Sequence, residues 1–252
     1  MTFDVAADSY GRFMGRFSEP LAEVFLEQVG LDGVEGVLDV GCGPGILTER
    51  LVAAFGPDRV AAVDPSPSFV EAARARCPGV EVRRASAEDL PYDDAAFDAA
   101  LAQLVVHFMT DPVAGLREMG RVVRPGGIVA ANVWDFAGDA APLSLYWRTV
   151  LELDPQARTE SHFAGVRRGH LVELAEEAGL GDAIEGYLTV VVPFASFDDW
   201  WEPYTLGVGP AGAYVAGLEE DARDRLRDRL REQLPEGPFE ISASAWSMVA
   251  RA

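Results

Sequence analysis

Val37-Leu38-Asp39-Val40-Gly41-Cys42-Gly43-Pro44-Gly45 runs from four mostly apolar residues straight into three glycines at alternate positions. Leu47, Leu51 and Phe55 follow at a spacing of four. The order is strand, tight turn, helix. Glycine lets the backbone approach a ligand where a Cβ would block it, and the helix start offers unpaired N–H groups. A dinucleotide fingerprint would place its third glycine at position 46; that residue is Ile46, and Gly45 comes one residue early. Asp39 lies inside the strand end, two residues before the first glycine.

This nine-residue run resembles motif I of the class I S-adenosylmethionine-dependent methyltransferases, in its E/D-x-G-x-G-x-G form. The resemblance implies a Rossmann-like α/β fold and S-adenosyl-L-methionine as cofactor. It makes Asp39, Gly41, Cys42 and Gly43 candidate cofactor-binding residues. It is specific over residues 35 to 135 and weaker outside them. The cofactor-binding half looks most like the ubiquinone/menaquinone-biosynthesis group, a likeness that transfers no substrate.

The next apolar run, Val60-Ala-Ala-Val-Asp64-Pro65, closes on an acid 23 positions beyond Gly41. A carboxylate at the end of a second strand can accept hydrogen bonds from both ribose hydroxyls. Asp64 is therefore the candidate ribose ligand, with Pro65 beside it. Ser66 or Ser68 reads as the cap of the following helix. Val80 to Arg84 alternates as a third strand and leads into Ala85-Ser-Ala-Glu-Asp. That segment resembles the family's adenine-contacting turn, at Ala87, Glu88 and Asp89. Phe97 to Ala102 is the fourth strand, and Gln103, Leu104 and His107 follow at its carboxyl end, where open α/β sheets bind ligands. Arg124-Pro-Gly-Gly reads as a turn into a fifth strand ending at Trp134.

Two strands more, Tyr187 to Phe194 and Phe239 to Val249, complete the expected architecture. It is a seven-stranded, mostly parallel sheet with an antiparallel last strand, helices on both faces, and a helical and aromatic lid. Residues 1-252 read as a single domain: 1-34 an N-terminal arm and helix, 35-135 the cofactor-binding core, and 136-252 lid insertions and sheet completion.

In the arm, Tyr10-Gly-Arg-Phe-Met-Gly-Arg16-Phe-Ser18 is basic and aromatic within an acidic chain. Ser18 reads as a helix N-cap with Pro20 in the first turn. Family resemblance implies that Tyr10 packs over the methionine end of the cofactor, and Arg16 or Arg12 could pair with its carboxylate. Deleting residues 1 to 17 should then spare the fold.

All five tryptophans lie at or beyond position 134. Trp134, Phe163, Trp200, Trp201 and Tyr204 fall near loops flanking the last parallel strands, which makes them candidate walls of an acceptor pocket. A second small core is the alternative reading of these rings.

The net charge of −20, with 41 acidic against 21 basic residues, argues against nucleic acid or an anionic membrane as partner. Two cysteines fit a reduced compartment, and neither a signal peptide nor an apolar run of about 18 residues is visible, so a soluble cytoplasmic protein is expected. The three histidines show no metal-ligand spacing, so no metal is expected. The sequence thus points to direct methyl transfer onto a small, apolar or aromatic acceptor, with His107 as candidate base. A non-catalytic cofactor-binding module and an NAD-type oxidoreductase are the alternatives. Acceptor identity and oligomeric state are not legible.

Overall fold

All four residues of β1 (Val37–Val40) are buried, as a strand needs when helices cover both its faces. The structure, a computed structural model, describes residues 7–252, and side chains from residue 9 onward. The other strands are β2 (Val60–Asp64), β3 (Glu81–Arg84), β4 (Phe97–Gln103), β5 (Val123–Trp134), β6 (Gly181–Phe194) and β7 (Phe239–Arg251). They form one sheet in the order β3-β2-β1-β4-β5-β7-β6. Strands β1 to β5 pair in parallel, and β7 enters antiparallel between β5 and β6. The sheet expected from the sequence is the sheet observed. Its order reverses between β1 and β4, which opens a crevice at their carboxyl ends.

The helices are α1 (Ala7–Tyr10), α2 (Arg16–Val29), α3 (Ile46–Phe55), α4 (Pro67–Arg76), α5 (Pro112–Val122), α6 (Ser144–Leu153), α7 (His170–Ala178), α8 (Phe197–Trp201), α9 (Gly209–Ala216) and α10 (Glu220–Arg231). Side chains alternate across the sheet with the strand period of two. Val37, Leu101 and Ala130 face a core packed by α2, α3 and α6. Leu38, Val40, Ala100 and Ala131 face the opposite core, packed by α5 and α7. Among the described residues, no helix is long and apolar enough to cross a membrane.

Three local expectations change. Ser18 caps nothing: α1 continues through a π-helical turn, Gly11–Gly15, into α2, and Ser18 Oγ donates back to Met14 O at 2.9 Å. Burial of Phe13 and Phe17 carries the helix past the capping signal. Second, Arg124-Pro-Gly-Gly is no turn. Phe97 pairs with Val123 and Ala99 with Ile128, so the segment is a bulge inside β5. Gly126 takes φ of +78°, and a Cβ on Gly127 would meet Asp98 O at 2.5 Å. Third, α9 appears where no helix was expected, between two glycine-containing loops.

Candidate active site

The glycine turn after β1 folds as its composition requires. Gly41, Gly43 and Gly45 all have positive φ, at +71°, +53° and +88°. The N–H groups of Gly41 and Cys42 both bond Val63 O, at 2.8 and 2.9 Å, which ties the turn to the end of β2. A Cβ at Gly45 would approach Ala73 Cα of α4 to 3.2 Å, whereas at Gly43 it would meet nothing within 4 Å. One glycine serves helix packing and the other leaves open space for a ligand.

That space is a cavity of about 390 Å³ at the carboxyl ends of β1, β2 and β4. Volume of this order suits a small-molecule site, roughly 300–1,000 Å³. Asp39, Gly41, Cys42 and Gly43 line one wall, and Asp64 and Pro65 the next. Ala87 and Glu88 close a third side; Gln103, Leu104 and Tyr10 complete it. Of the expected cofactor residues, Arg12, Arg16 and Asp89 are not part of its wall.

Asp64 is fixed by two backbone donors, Gly43 N at 2.9 Å and Ser66 N at 2.8 Å. Burial still holds its pKa above the usual carboxylate value, against those two bonds. Asp39 accepts from Thr48 Oγ1 at 2.6 Å, and burial pushes its pKa to about 7. Glu88 is held differently. Burial raises its pKa, but donation from Ser86 Oγ and from the amides of Thr110 (2.7 Å) and Asp111 outweighs burial and lowers it. It therefore braces the loop after β4 against the loop after β3. Gln103 Nε2 donates to Ser18 O at 3.0 Å, which leaves Gln103 Oε1 buried without a partner. Leu104 has φ of +61°, a conformation that costs a non-glycine residue of the order of 1–3 kcal/mol.

A second, smaller cavity of about 40 Å³ adjoins the first, and Tyr10, Leu104 and Phe108 line both. Its other walls come from Phe13 and Met14 of the arm, His107, Trp134, Phe136, Leu143, Glu160, and residues 208–211 at the start of α9. His107 is buried at 8% exposure, and desolvation pushes its pKa down to about 3. It is a neutral imidazole and a weak base, so the proton-accepting role expected of it is not supported. Glu160 was not anticipated. It is 3% exposed, Trp147 Nε1 donates to its Oε2 at 2.8 Å, and burial raises its pKa to about 7 against that bond. Nothing in the sequence marks it, because acids are ordinary in polar loops.

Most of the expected acceptor rings do other work. Trp134 lines the inner cavity, but Phe163 sits behind it, stacked on His107 at 6.2 Å. Trp200, Trp201 and Tyr204 are buried at 2%, 7% and 1% and lie outside both cavities. Tyr204 stacks on Tyr146 at 4.6 Å and meets Phe13 edge-on at 4.8 Å. These rings belong to the core on the α2, α3 and α6 side of the sheet, where they clasp the arm. The arm's charges join in: Arg16 Nη1 donates to Asp199 Oδ1 at 2.8 Å, with its guanidinium over Phe194, and Arg12 pairs with Glu202 at 2.7 Å. Both arginines are paired within the protein and stand outside the cavity wall. Residues 1–6 of the arm lie outside the described residues; from Phe13 onward it is core, so removing residues 1 to 17 would open that core.

A methyltransferase domain model matches residues 38–131, the segment that forms most of the larger cavity. The trans-aconitate 2-methyltransferase of Methylobacterium radiotolerans is 30% identical over 194 residues, covering 76% of this chain and 69% of its own length. The chain belongs to the class I S-adenosylmethionine-dependent methyltransferases. The ubiquinone biosynthesis O-methyltransferase of Methylocella silvestris is 39% identical over 105 residues, 40% of each protein. Among solved structures, the geranyl diphosphate C-methyltransferase of Streptomyces coelicolor superposes with a TM-score of 0.53 at 16% identity, covering 94% of this chain and 80% of that one, a likeness of fold. The chain spans 31% and 54% of the length of two other curated relatives. S-adenosyl-L-methionine is the family's methyl donor, and the larger cavity suits it. Gln103 Oε1 is buried without a partner, burial raises the Asp39 pKa to about 7, and Asp64 accepts from two backbone amides.

Proposed function

We propose that the protein transfers a methyl group from S-adenosyl-L-methionine directly to a small, largely apolar acceptor, without a metal. The observation that carries this reading is the junction of the two cavities. Tyr10, the strained Leu104 and Phe108 stand between a chamber of mixed lining and an almost wholly apolar one. Strain of this kind concentrates where the backbone must aim at a ligand.

In this reading, Asp64 accepts from the ribose hydroxyls, and Ala87 with Glu88 closes on the adenine. Gln103 Oε1 and Asp39 receive the ammonium of the methionine end, which favours the ionised form of Asp39. The cofactor, when bound, supplies an electrophilic methyl on a sulfonium, so displacement at carbon asks the protein for alignment and exclusion of water. The apolar walls of the inner chamber exclude water, and Leu104 sets its mouth. Trans-aconitate, the acceptor in a relative's name, carries several carboxylates. Among the described residues the inner chamber has no arginine in its wall, and it has a carboxyl of its own, which favours a different acceptor.

Crystals grown with S-adenosylhomocysteine test the assignment. The adenosyl group should contact Asp64 and the sulfur should face the inner chamber. A sulfur opening onto a broad polar surface would end the small-acceptor reading.

A further inference from the structure

Glu160 is the strongest unexplained group in the molecule. A buried carboxyl costs several kcal/mol when ionised unless it is paired. Trp147 Nε1 satisfies Oε2 alone; among the described residues Oε1 takes no hydrogen bond, and no arginine lines the cavity that Glu160 faces. Trp147 packs edge-on against Tyr146 at 5.0 Å and Tyr214 at 6.1 Å, so the carboxyl is held by a ring that is itself fixed. His107 and Trp134, in the same wall, have ring nitrogens that are buried and unpartnered. The chamber is about 40 Å³, little more than one water's share of liquid volume, roughly 30 Å³. A polar group seated there has one carboxyl to meet.

We infer that Glu160 receives the proton of the acceptor, and that the acceptor is a small apolar molecule bearing one N–H or O–H nucleophile and no carboxylate of its own at that end. This rests on the inner chamber being the acceptor site. The nucleophile's lone pair forms the bond to the methyl carbon as the carbon–sulfur bond breaks. The sulfur keeps that electron pair and becomes a neutral thioether. The nucleophile's proton passes to Glu160, so one positive and one negative charge are discharged together. A ring-bearing acceptor fits, because its body can rest at the junction beside Tyr10 and Phe108 while its polar atom enters the chamber.

The test uses four probes of one shape, phenol, aniline, toluene and benzoate, titrated calorimetrically into the protein saturated with S-adenosylhomocysteine. Phenol and aniline should bind at least about ten-fold tighter than toluene, the smaller end of a charged hydrogen bond's contribution. Benzoate, a second anion beside Glu160, should bind weakest. Glu160→Gln, in which an amide oxygen still accepts from Trp147, should erase the advantage of phenol and aniline while toluene binds as before. Toluene equal to phenol in the wild type, or an undiminished phenol advantage in Glu160→Gln, overturns the role of Glu160 and leaves the chamber as acceptor site. Failure of all four to bind overturns the chamber reading and this inference with it. The wild-type order needs no variant, so it decides the matter even if Glu160→Gln does not fold.

Discussion

The two cavities are built in opposite ways. Among the described residues, the larger is drawn almost wholly from residues 39 to 110, with only Tyr10 and Ser18 added from the arm. Its shape is set by backbone: a positive-φ glycine turn, two strand ends, and amides that hold Asp64 and Glu88. Among the described residues, the smaller is gathered from separated stretches, residues 10–14, 104–108, 134–143, 160 and 208–211. Chemistry shared by a family sits in a local, backbone-defined frame. In the proposed function, chemistry that selects the acceptor sits where distant pieces meet, and there a single substitution changes the wall.

If the arm belongs to the core, Phe17→Ala should show the largest effect. Phe17 is 4% exposed and meets Trp134 edge-on at 6.3 Å and Phe194 at 6.0 Å. Loss of such a ring costs about 3–5 kcal/mol. Chemical denaturation measures it, and a change under about 1 kcal/mol would make the arm a loose flap after all.

Asp64→Ala should come next. Two hydroxyl donors to one carboxylate, at the low end of about 1.5 kcal/mol each, correspond to roughly 100-fold weaker binding of S-adenosylhomocysteine. The inner chamber should be untouched, so an equal loss of acceptor affinity would blur the division between the cavities.

Asp39 allows a test by pH in the ligand-free protein. Its folded pKa of about 7 is raised from an ordinary 3.8. The protonated form therefore stabilises the fold: that contribution is complete below about pH 4 and is lost as pH rises to 7. Wild type should lose about 2 kcal/mol more than Asp39→Asn between pH 5 and 7. Parallel stability curves for the two proteins would show that the larger cavity is wetter than its walls imply.

The smallest effects fall on charges that the sequence made conspicuous. Arg16 and Asp199 are 30% and 37% exposed, so Arg16→Ala should cost about 1 kcal/mol or less and leave cofactor affinity unchanged. A ten-fold loss of affinity would return Arg16 to the site. Chelation should leave turnover unchanged; among the described residues no group of three His, Cys, Asp or Glu could hold a metal ion.

The sequence by itself determined the sheet, the glycine turn, Asp64 and the crevice above β1 and β4. Each follows from near neighbours in the chain: apolar periods, glycines that alone tolerate positive φ, an acid closing a strand. The tertiary structure alone decided what the aromatic residues and arginines do. Trp200, Trp201 and Tyr204 read equally well as pocket or core, because a ring buries the same area against a ligand or against Phe13 and Tyr146. Arg16 was conspicuous in an acidic chain, yet Asp199, 183 residues away, holds it. Nothing in the sequence distinguishes Glu160 from the chain's other acids. Only the fold closed apolar walls around it, and removal of water, which no spacing records, is what turns an ordinary carboxylate into a group with chemistry to do.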